Sequence, residues 1–356
     1  MLDYLSRQEK RLEDAFRRHG IEGELAFYTL AFCYAERFRD VLMEPPERIM
    51  QRGRSLFDKI KIDMHLTTLL DSIVASDPRG ENLPAWYQYF LGRRFREGSG
   101  KFFTPKPIAS AMARLLPRRE RAVIMDPTCG GGTFLIEASK VWGSLPSELV
   151  GNDIEPSLVD LAQIVLGLAT PKHHRKHFLV SNIYEPTLHF REWYAKVDYI
   201  LANPPFSLEI DTIDTDSKLF AAGYKNSDAL FLDVCFNLLR SQGRLICLLP
   251  HSIIANTEFQ KLRLLVEESW NLLGVIGMPE GIFHLTANTT TRADIVILEK
   301  KREGARHTLE AVFAFAPSVG IPLNSRANDT QINYLDEITN DPEVLDALGI
   351  KQRRGP

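Results

Sequence analysis

The sequence predicts an α/β fold with a Rossmann-like, doubly wound sheet and an N-terminal helical domain. Short apolar segments alternate with helical ones from about residue 100 onward, a pattern typical of an open, mostly parallel sheet. Residues 1 to about 76 instead have helical periodicity without strands. The 356 residues are 44% hydrophobic and 25% charged, which suits one catalytic-sized domain and a smaller one.

The predicted sheet consists of apolar segments separated by helices. Strands are predicted at 122–126, 148–153, 197–203, 244–250, 271–279 and 294–301. Helices are predicted at 133–142, 158–169, 229–240 and 258–269. In such sheets ligands bind at the carboxyl ends of strands, near the point where the strand order reverses. Functional residues are therefore expected at the strand ends.

The helical part is predicted to contain long helices at 24–42 and 56–74, followed by a turn-rich break at 76–84. A bundle that packs on its neighbour is the simplest interpretation of these helices. We expect three parts along the chain: an N-terminal helical domain over 1–95, a sheet domain over 96–302 and a C-terminal extension over 303–356.

Composition excludes several classes of protein. The charged N-terminus is not a signal peptide, and no apolar run approaches the ~20 residues that cross a bilayer, so a cytoplasmic protein without a membrane partner is expected. None of the four cysteines lies in a C-x-x-C pair, so no metal site is predicted. With a net charge of −3, a nucleic-acid surface would have to be local. Candidate basic clusters lie at 92–96, 118–121, 172–177 and 351–354.

The first predicted strand ends in a glycine loop, DPTCGGGT at 126–133. Gly130, Gly131 and Gly132 would let backbone N–H groups approach a ligand beside a helix N-terminus. The second strand ends at Asp153, whose carboxylate can accept hydrogen bonds from both hydroxyls of a ribose. The loop lacks the patterns that bind dinucleotides or ATP phosphates. A ligand-free tight turn is one interpretation, and S-adenosylmethionine, a nucleoside with a small zwitterionic tail, is the ligand that fits better.

A later strand ends in Asn-Pro-Pro-Phe at 203–206. The side-chain oxygen of Asn203 and the carbonyl of Pro204 can both accept hydrogen bonds from a nucleobase amine and relieve its developing charge. Pro204 and Pro205 fix φ, so these acceptors are held in place. Phe206, expected to be exposed, offers a face on which a base can stack. The motif predicts methyl transfer to the amine of a base flipped out of its duplex, with a rigid surface turn as the alternative.

Residues 97–301 resemble the S-adenosylmethionine-dependent adenine-N6 DNA methyltransferases, in particular the modification subunits of type I restriction–modification systems. The resemblance rests on the segments GKFFTP (100–105), DPTCGGGTFLIEA (126–138), GND (151–153), NPPF (203–206), SDALFLDVCFNLLRSQGRLICLLP (227–250), VIGMPEGIF (275–283) and DIVILEKK (294–301). It implies that 96–302 is an S-adenosylmethionine-dependent methyltransferase domain with the family's Rossmann-like sheet.

The resemblance also implies roles for single residues. Catalysis is implied for the whole NPPF motif, Asn203, Pro204, Pro205 and Phe206. Cofactor binding is implied for residues of four segments: Phe103, Thr104, Pro105, Asp126, Pro127, Gly130, Gly132, Asp153 and Asn182. Within this set Phe103, Thr104 and Pro105 match the motif that closes over the methionine tail. Asn182 stands where the family usually has an Asp that contacts the adenine ring amine.

The partners are inferred from what the chain does not contain. Stand-alone adenine methyltransferases of this type carry a large target-recognition domain, and none is evident after residue 301. We therefore expect DNA as substrate and either a separate DNA-specificity subunit or loose site selection, with a restriction nuclease as a further partner. The N-terminal helices are expected to help hold DNA or that subunit. The polar segment 207–227 is expected to become ordered only over bound DNA.

Two other functions stay open. Tetrapeptides similar to NPPF occur in ribosomal RNA guanine-N2 methyltransferases and in glutamine methyltransferases of release factors, so an RNA base-amine methyltransferase is one alternative. A subunit that binds cofactor and DNA but is inactive without its partner is the other.

Overall fold

The structure, a computed structural model, describes residues 2–42, 44–96, 103–214, 216–283, 292–302, 304, 310–321 and 332–350. The chain divides into two compact units. The first is formed by residues 1–99 with 155–172, and the second by residues 100–154 with 173–356. The predicted boundaries at 95/96 and 302/303 remain predictions.

The first unit is helical. Its helices are Leu2–Arg17, Glu24–Arg37, Arg39–Leu42, Arg54–Ile60, Met64–Ser76, Leu83–Arg96 and Pro156–Ala169, with a π-helical turn at Ile49–Gly53. The helix predicted at 24–42 is thus interrupted at Phe38, and the one predicted at 56–74 is interrupted near Asp63. The side chain of Asp63 accepts hydrogen bonds from two backbone N–H groups of the following helix, so it caps the new N-terminus.

Aromatic rings fill the centre of the helical unit. Phe27 packs edge-to-face on Tyr87 with a centroid distance of 4.8 Å. The Tyr34 hydroxyl donates to Asp77 Oδ2 at 2.9 Å, and this buried carboxylate also accepts from the backbone of residues 81 and 82. A Cβ on Gly53 would lie 2.3 Å from the Cβ of Phe32, so only glycine allows the π-helical turn to lie this close to helix Glu24–Arg37.

Helix Pro156–Ala169 is fixed within the helical unit by an ion pair between a partly exposed arginine and a buried aspartate. Arg48 donates from Nε to Asp160 Oδ2 at 2.9 Å and from a terminal nitrogen to Oδ1 at 2.8 Å. The same guanidinium donates to the Pro156 carbonyl at 3.1 Å. Asp160 is 3% exposed, so this bidentate pair supplies the charge that the buried carboxylate requires.

The second unit is built on an eight-stranded sheet. Its strands are β1 (Ala122–Asp126), β2 (Ser147–Asp153), β3 (Arg175–Val180), β4 (Val197–Ala202), β5 (Leu239–Pro250), β6 (Trp270–Gly277), β7 (Ala293–Lys300) and β8 (Val312–Phe315). Its α-helices are Lys106–Arg114, Thr133–Trp142, Leu188–Arg191, Lys218–Ala221, Ser227–Leu238, His251–Ala255, Gln260–Ser269, Tyr334–Asn340 and Pro342–Ala347, with a 3₁₀ turn at Thr257–Phe259.

The strand order β3-β2-β1-β4-β5-β7-β6-β8 confirms the predicted fold class. The first five strands in this order are parallel, and β7 is antiparallel to both of its neighbours. The chain order reverses between β1 and β4, so the carboxyl ends of these two strands border the crevice where ligands bind in such sheets. The sheet shares an apolar core with helix Ser227–Leu238 that includes Ile200, Phe231, Val234, Leu245 and Cys247.

Two strands were not predicted, and the second of them lies in the C-terminal extension. β3 overlaps the basic cluster at 172–177, and β8 pairs in parallel with β6. Helix Tyr334–Asn340 is attached to the unit by the ion pair of Arg114 with Asp336. Arg244 donates to the Leu348 carbonyl at 2.7 Å. Residues 310–350, where described, therefore belong to the sheet unit, whereas the basic cluster at 351–354 lies outside the described residues.

Segment 207–227, whose ordering over bound DNA stays a prediction, has contacts of its own. Apart from residue 215, the segment is described and is held by its own contacts. A β-bridge joins Glu209 to Asn226, and Arg191 donates to Asp214 Oδ2 at 2.8 Å. Helix Lys218–Ala221 lies within the segment.

Among the described helices, none is long and apolar enough to cross a membrane.

Candidate active site at the strand ends

The glycine loop follows β1 and starts helix Thr133–Trp142. The backbone of Thr128 donates to Asp126 Oδ1 at 3.1 Å, which turns the chain directly after the strand. Gly130 and Gly132 have φ of 48° and 81°, values that glycine adopts without steric cost. Burial raises the pKa of the Cys129 thiol well above its usual value, so this cysteine is not a thiolate nucleophile.

Hydrogen bonds join this loop to the ends of β2 and β3. Asp153 Oδ2 accepts from the backbone N–H of Gly130 at 3.0 Å. The side-chain amide of Asn152 donates to the carbonyls of Pro127 and Ser181, at 2.9 and 3.0 Å. The sequence predicted that Asp153 and the glycines lie at the strand ends, and their cofactor-binding roles stay predictions, whereas the connecting role of Asn152 was missed. Its place in the GND segment, at the end of a strand, was the signal available.

The carboxylates of Asp126 and Asp153 form an acidic pair in this crevice. They are 1% and 8% exposed. Burial raises the pKa of Asp126 well above its usual range, and the negative charge of Asp153 raises it further. A positively charged ligand would favour the ionised form of both groups. S-adenosylmethionine carries a sulfonium and an α-ammonium beside a ribose, so these carboxylates and the glycine loop fit its chemistry.

The Phe103–Thr104–Pro105 motif lies next to the same loop. A Cβ on Gly130 would lie 3.9 Å from Phe103 Cε1, so the phenyl ring borders the glycine backbone. Thr104 is buried, and Pro105 precedes helix Lys106–Arg114 as its N-cap. The preceding residues of this segment, 100–102, lie outside the described part of the chain.

Asn182 lies just beyond β3, and the structure shows its side-chain oxygen in a local contact. Asn182 Oδ1 accepts from the backbone N–H of Tyr184 at 3.1 Å, an Asx-type turn. The strand end itself is connected to the site, because the Ser181 N–H donates to the Asp153 carbonyl at 3.1 Å. The assignment of Asn182 to the adenine ring of the cofactor stays a prediction.

The NPPF motif follows β4 and contacts the glycine loop. The Thr128 hydroxyl donates to the Asn203 carbonyl at 3.4 Å, which connects the ends of the two strands that flank the switch point. Pro204 is buried and Asn203 is partly buried. The structure therefore brings together the Phe103 motif, the glycine loop, Asp153 and the NPPF motif.

The expected exposure of Phe206 was wrong. Its side chain is 7% exposed and packs edge-to-face on Phe283 with a centroid distance of 5.9 Å. Apolar burial and the aromatic contact favour this position over an open ring face. Phe206 therefore presents little open ring surface on which a base could stack.

Two further pairs at this edge of the sheet were not predicted. Ser227 and Asp228 start the helix Ser227–Leu238 and hydrogen-bond to residues 205–208. His251 directly follows β5, and its Nδ1 lies 2.6 Å from Oδ2 of Asp294, a carboxylate that is 2% exposed. The sequence signals were a Ser-Asp pair in a helix's first turn and a His just after a predicted strand.

The family is established by comparison with known proteins. The family model for N-6 DNA methylases matches residues 80–328, which is more than half of the chain. The type II methyltransferase M.VspI of Vibrio sp. (strain 343) is 26% identical over 235 residues, covering 64% of this chain and 55% of the relative. The methylase subunit of the type I restriction enzyme EcoEI of Escherichia coli is 26% identical over 202 residues, covering 52% and 40%. The chain thus spans about half the length of these curated relatives.

Solved structures support the fold. A class I S-adenosylmethionine-dependent methyltransferase of Listeria monocytogenes, described as putative, superimposes with a TM-score of 0.60 at 17% identity, covering 88% of this chain and 93% of the other. A methyltransferase subunit of a type I restriction–modification system from Streptococcus thermophilus gives a TM-score of 0.53 at 22% identity, covering 76% and 62%. The sheet is therefore that of the class I methyltransferases, and the chain belongs to the N-6 DNA methylase family.

Proposed function

We propose that this chain is the catalytic chain of an S-adenosylmethionine-dependent adenine-N6 DNA methyltransferase that acts in restriction–modification or phage defence. One observation carries this proposal: in a chain of the N-6 DNA methylase family, the glycine loop after β1 hydrogen-bonds to the NPPF motif after β4. A methyl donor bound at the first element would lie beside a base bound at the second.

The cofactor half of the site would hold S-adenosylmethionine, which supplies an electrophilic methyl group when bound. Asp153 would accept hydrogen bonds from the ribose hydroxyls, and the glycine loop would approach the methionine part closely. Asp126 and Pro127 would border that part, and the Phe103 motif would cover it. Asn182 would lie at the adenine ring.

The base half would activate the exocyclic amine of adenine, whose lone pair is delocalised into the ring. Asn203 Oδ1 and the Pro204 carbonyl would accept hydrogen bonds from the amine and stabilise the positive charge that develops on it. The two prolines restrict the backbone here, so these acceptors are pre-oriented. No strong base is needed before the transfer. Phe206 would contact the flipped base.

DNA as substrate and a separate recognition subunit are parts of the same proposal. Two relatives are a type II methyltransferase and a type I methylase subunit, and the latter is by name one part of a larger enzyme. We infer that a further subunit reads the DNA sequence, that a nuclease belongs to the same system, and that the protein works in the cytoplasm. The N-terminal helices would hold DNA or that subunit.

A transfer assay tests this function. The chain is incubated with methyl-labelled S-adenosylmethionine and unmethylated DNA or ribosomal RNA, with and without a candidate recognition subunit, and the products are digested to nucleosides. Labelled N6-methyl-2′-deoxyadenosine is the expected product. Label confined to RNA would replace the proposal with the RNA alternative. Cofactor binding without transfer to DNA or RNA under any of these conditions would instead identify a binding subunit.

A further inference from the structure

The segment that carries the proposed amine acceptors is attached to the first turn of helix Ser227–Leu238. The Ser227 hydroxyl donates to the Pro205 carbonyl at 2.9 Å and accepts from the Leu208 N–H at 3.1 Å. The Ser227 N–H donates to the Leu208 carbonyl at 2.8 Å. Asp228 Oδ2 accepts from the Ser207 N–H at 3.0 Å. Two adjacent residues thus contact three of the four residues from 205 to 208.

These contacts supply a restraint that the prolines cannot. A proline ring fixes φ but leaves ψ free. The ψ angle of Pro205 determines where its carbonyl points, and this carbonyl accepts from Ser227. The N–H groups of Ser207 and Leu208 donate to Asp228 and Ser227. Ser207 is held at φ 56°, a left-handed conformation that is unfavourable for a residue with a Cβ. An unfavourable backbone conformation of this kind persists only when the surrounding contacts enforce it.

Burial of the Asp228 carboxyl has a cost to folding. Its side chain is 2% exposed, and Oδ1 has no hydrogen-bond partner among the described residues. Burial raises the pKa of this carboxyl to about 6, which reflects the cost of keeping it ionised. An uncharged acceptor could bind the Ser207 N–H at lower cost to folding. The position therefore requires an acceptor for the Ser207 N–H, which an amide oxygen at residue 228 would also supply.

We propose that Ser227 and Asp228 are positioning residues for methyl transfer, which hold the backbone after Pro205 so that the acceptors at Asn203 and Pro204 point at the target amine. The proposal deepens the proposed function and rests on it. It assigns no contact with substrate to either residue.

The test compares three variants of the full chain with a matched control. Asp228→Ala and Ser227→Ala remove the contacts, and Asp228→Asn keeps an oxygen that can accept from Ser207. Asp233→Ala is the control, because Asp233 lies on the same helix and accepts from the Leu219 N–H at 2.9 Å, away from the NPPF motif. Thermal unfolding and calorimetric binding of S-adenosylmethionine are measured for each variant.

Hydrogen exchange reads out the position of the loop without any need for activity. A peptide spanning 203–209 reports on Phe206, Ser207, Leu208 and Glu209, because prolines have no N–H. We expect faster exchange of this peptide in both alanine variants, little change in Asp228→Asn, and none in the control. Unchanged exchange in Asp228→Ala and Ser227→Ala would overturn the proposal, even if those variants unfold at lower temperature.

The kinetic readout separates this proposal from the proposed function. In the alanine variants kcat should fall on the order of tenfold or more, while the Kd for S-adenosylmethionine stays within about twofold. Asp228→Asn should recover most of the loss. If the wild-type chain methylates DNA and the alanine variants are equally fast, the positioning role is refuted and the proposed function stands. If the wild-type chain methylates no DNA, the proposed function fails, and with it the role of this loop in transfer.

Discussion

Replacement of Asp153 by alanine separates ligand binding from loop stability at the cofactor site. Asp153 Oδ2 accepts a hydrogen bond from the Gly130 N–H at 3.0 Å, so part of its role is structural. The ribose hydroxyls are the other partners that we propose for this carboxylate. The substitution removes the acceptor for both.

The two losses appear in different measurements. Loss of the Gly130 contact leaves a partly buried N–H unsatisfied in free and bound protein alike, which costs about 1–3 kcal/mol of folding stability. Loss of one or two charge-assisted bonds to the ribose affects the bound state only. At about 1.5–2 kcal/mol per bond, we expect S-adenosylmethionine to bind on the order of 10–10³-fold more weakly.

Titration calorimetry at a fixed pH measures the affinity, and thermal unfolding without ligand measures the stability. Asp153→Asn is the matched variant, because its side-chain oxygen can still accept from Gly130. We expect Asp153→Asn to keep most of the stability and to lose less affinity than Asp153→Ala. If Asp153→Ala unfolds at lower temperature yet binds the cofactor within about threefold of wild type, Asp153 is a structural residue and the ribose assignment is wrong.

Three further predictions concern charge. Asp126 has a raised pKa and must be ionised to pair with a cation, so the affinity for S-adenosylmethionine should fall as the pH decreases through that pKa. Calorimetry in two buffers with different ionisation enthalpies should detect proton release on binding, and pH-independent binding would contradict the pairing. Arg48→Ala should lower the free energy of unfolding in urea by on the order of 2–3 kcal/mol, less than for a fully enclosed pair because Arg48 is 42% exposed. Arg48→Met combined with Asp160→Leu should restore this stability, and an Arg48→Ala variant as stable as wild type would refute the role of the ion pair. Asp228→Asn should raise the melting temperature relative to wild type by an amount that grows from about pH 4 to about pH 7 and then levels off. The reason is that a carboxyl with its pKa raised from 3.8 to about 6 destabilises the fold once ionised, by on the order of 3 kcal/mol. Tyr184 and Cys247 nearby have raised pKa values and stay neutral, so a pH-independent difference would exclude this origin.

The sheet was predictable where its strands are buried, and less so at its edges. β1 and β4 are apolar runs that end at polar residues, so their limits were predicted within one residue. β3 and β8 are edge strands with partly exposed side chains, so neither gives a continuous apolar run. β5 begins at Leu239, five residues before the prediction, because it follows helix Ser227–Leu238 directly; Gln242, at φ 62°, lies where the pairing of β5 with β4 is irregular.

The candidate site was predictable where function depends on residue type at a strand end. Asp126, Asp153 and Asn203 all follow this rule. Burial of Phe206 was not predictable, because it depends on Phe283, which is 77 residues away in the sequence. The contacts of Ser227 and Asp228 with the NPPF segment depend in the same way on the packing of a later helix. Such long-range contacts have no local sequence signal.

We propose that Asn203 stabilises the target amine during methyl transfer, and a single-turnover measurement is the direct test of this role. Wild type and Asn203→Ala are saturated with labelled S-adenosylmethionine and DNA, and the rate of N6-methyladenine formation is measured alongside cofactor affinity. We predict a rate lower by on the order of 10²–10³-fold in Asn203→Ala, as for one lost transition-state hydrogen bond, with cofactor affinity little changed. An unchanged rate in that variant would contradict the proposed role of Asn203 in methyl transfer.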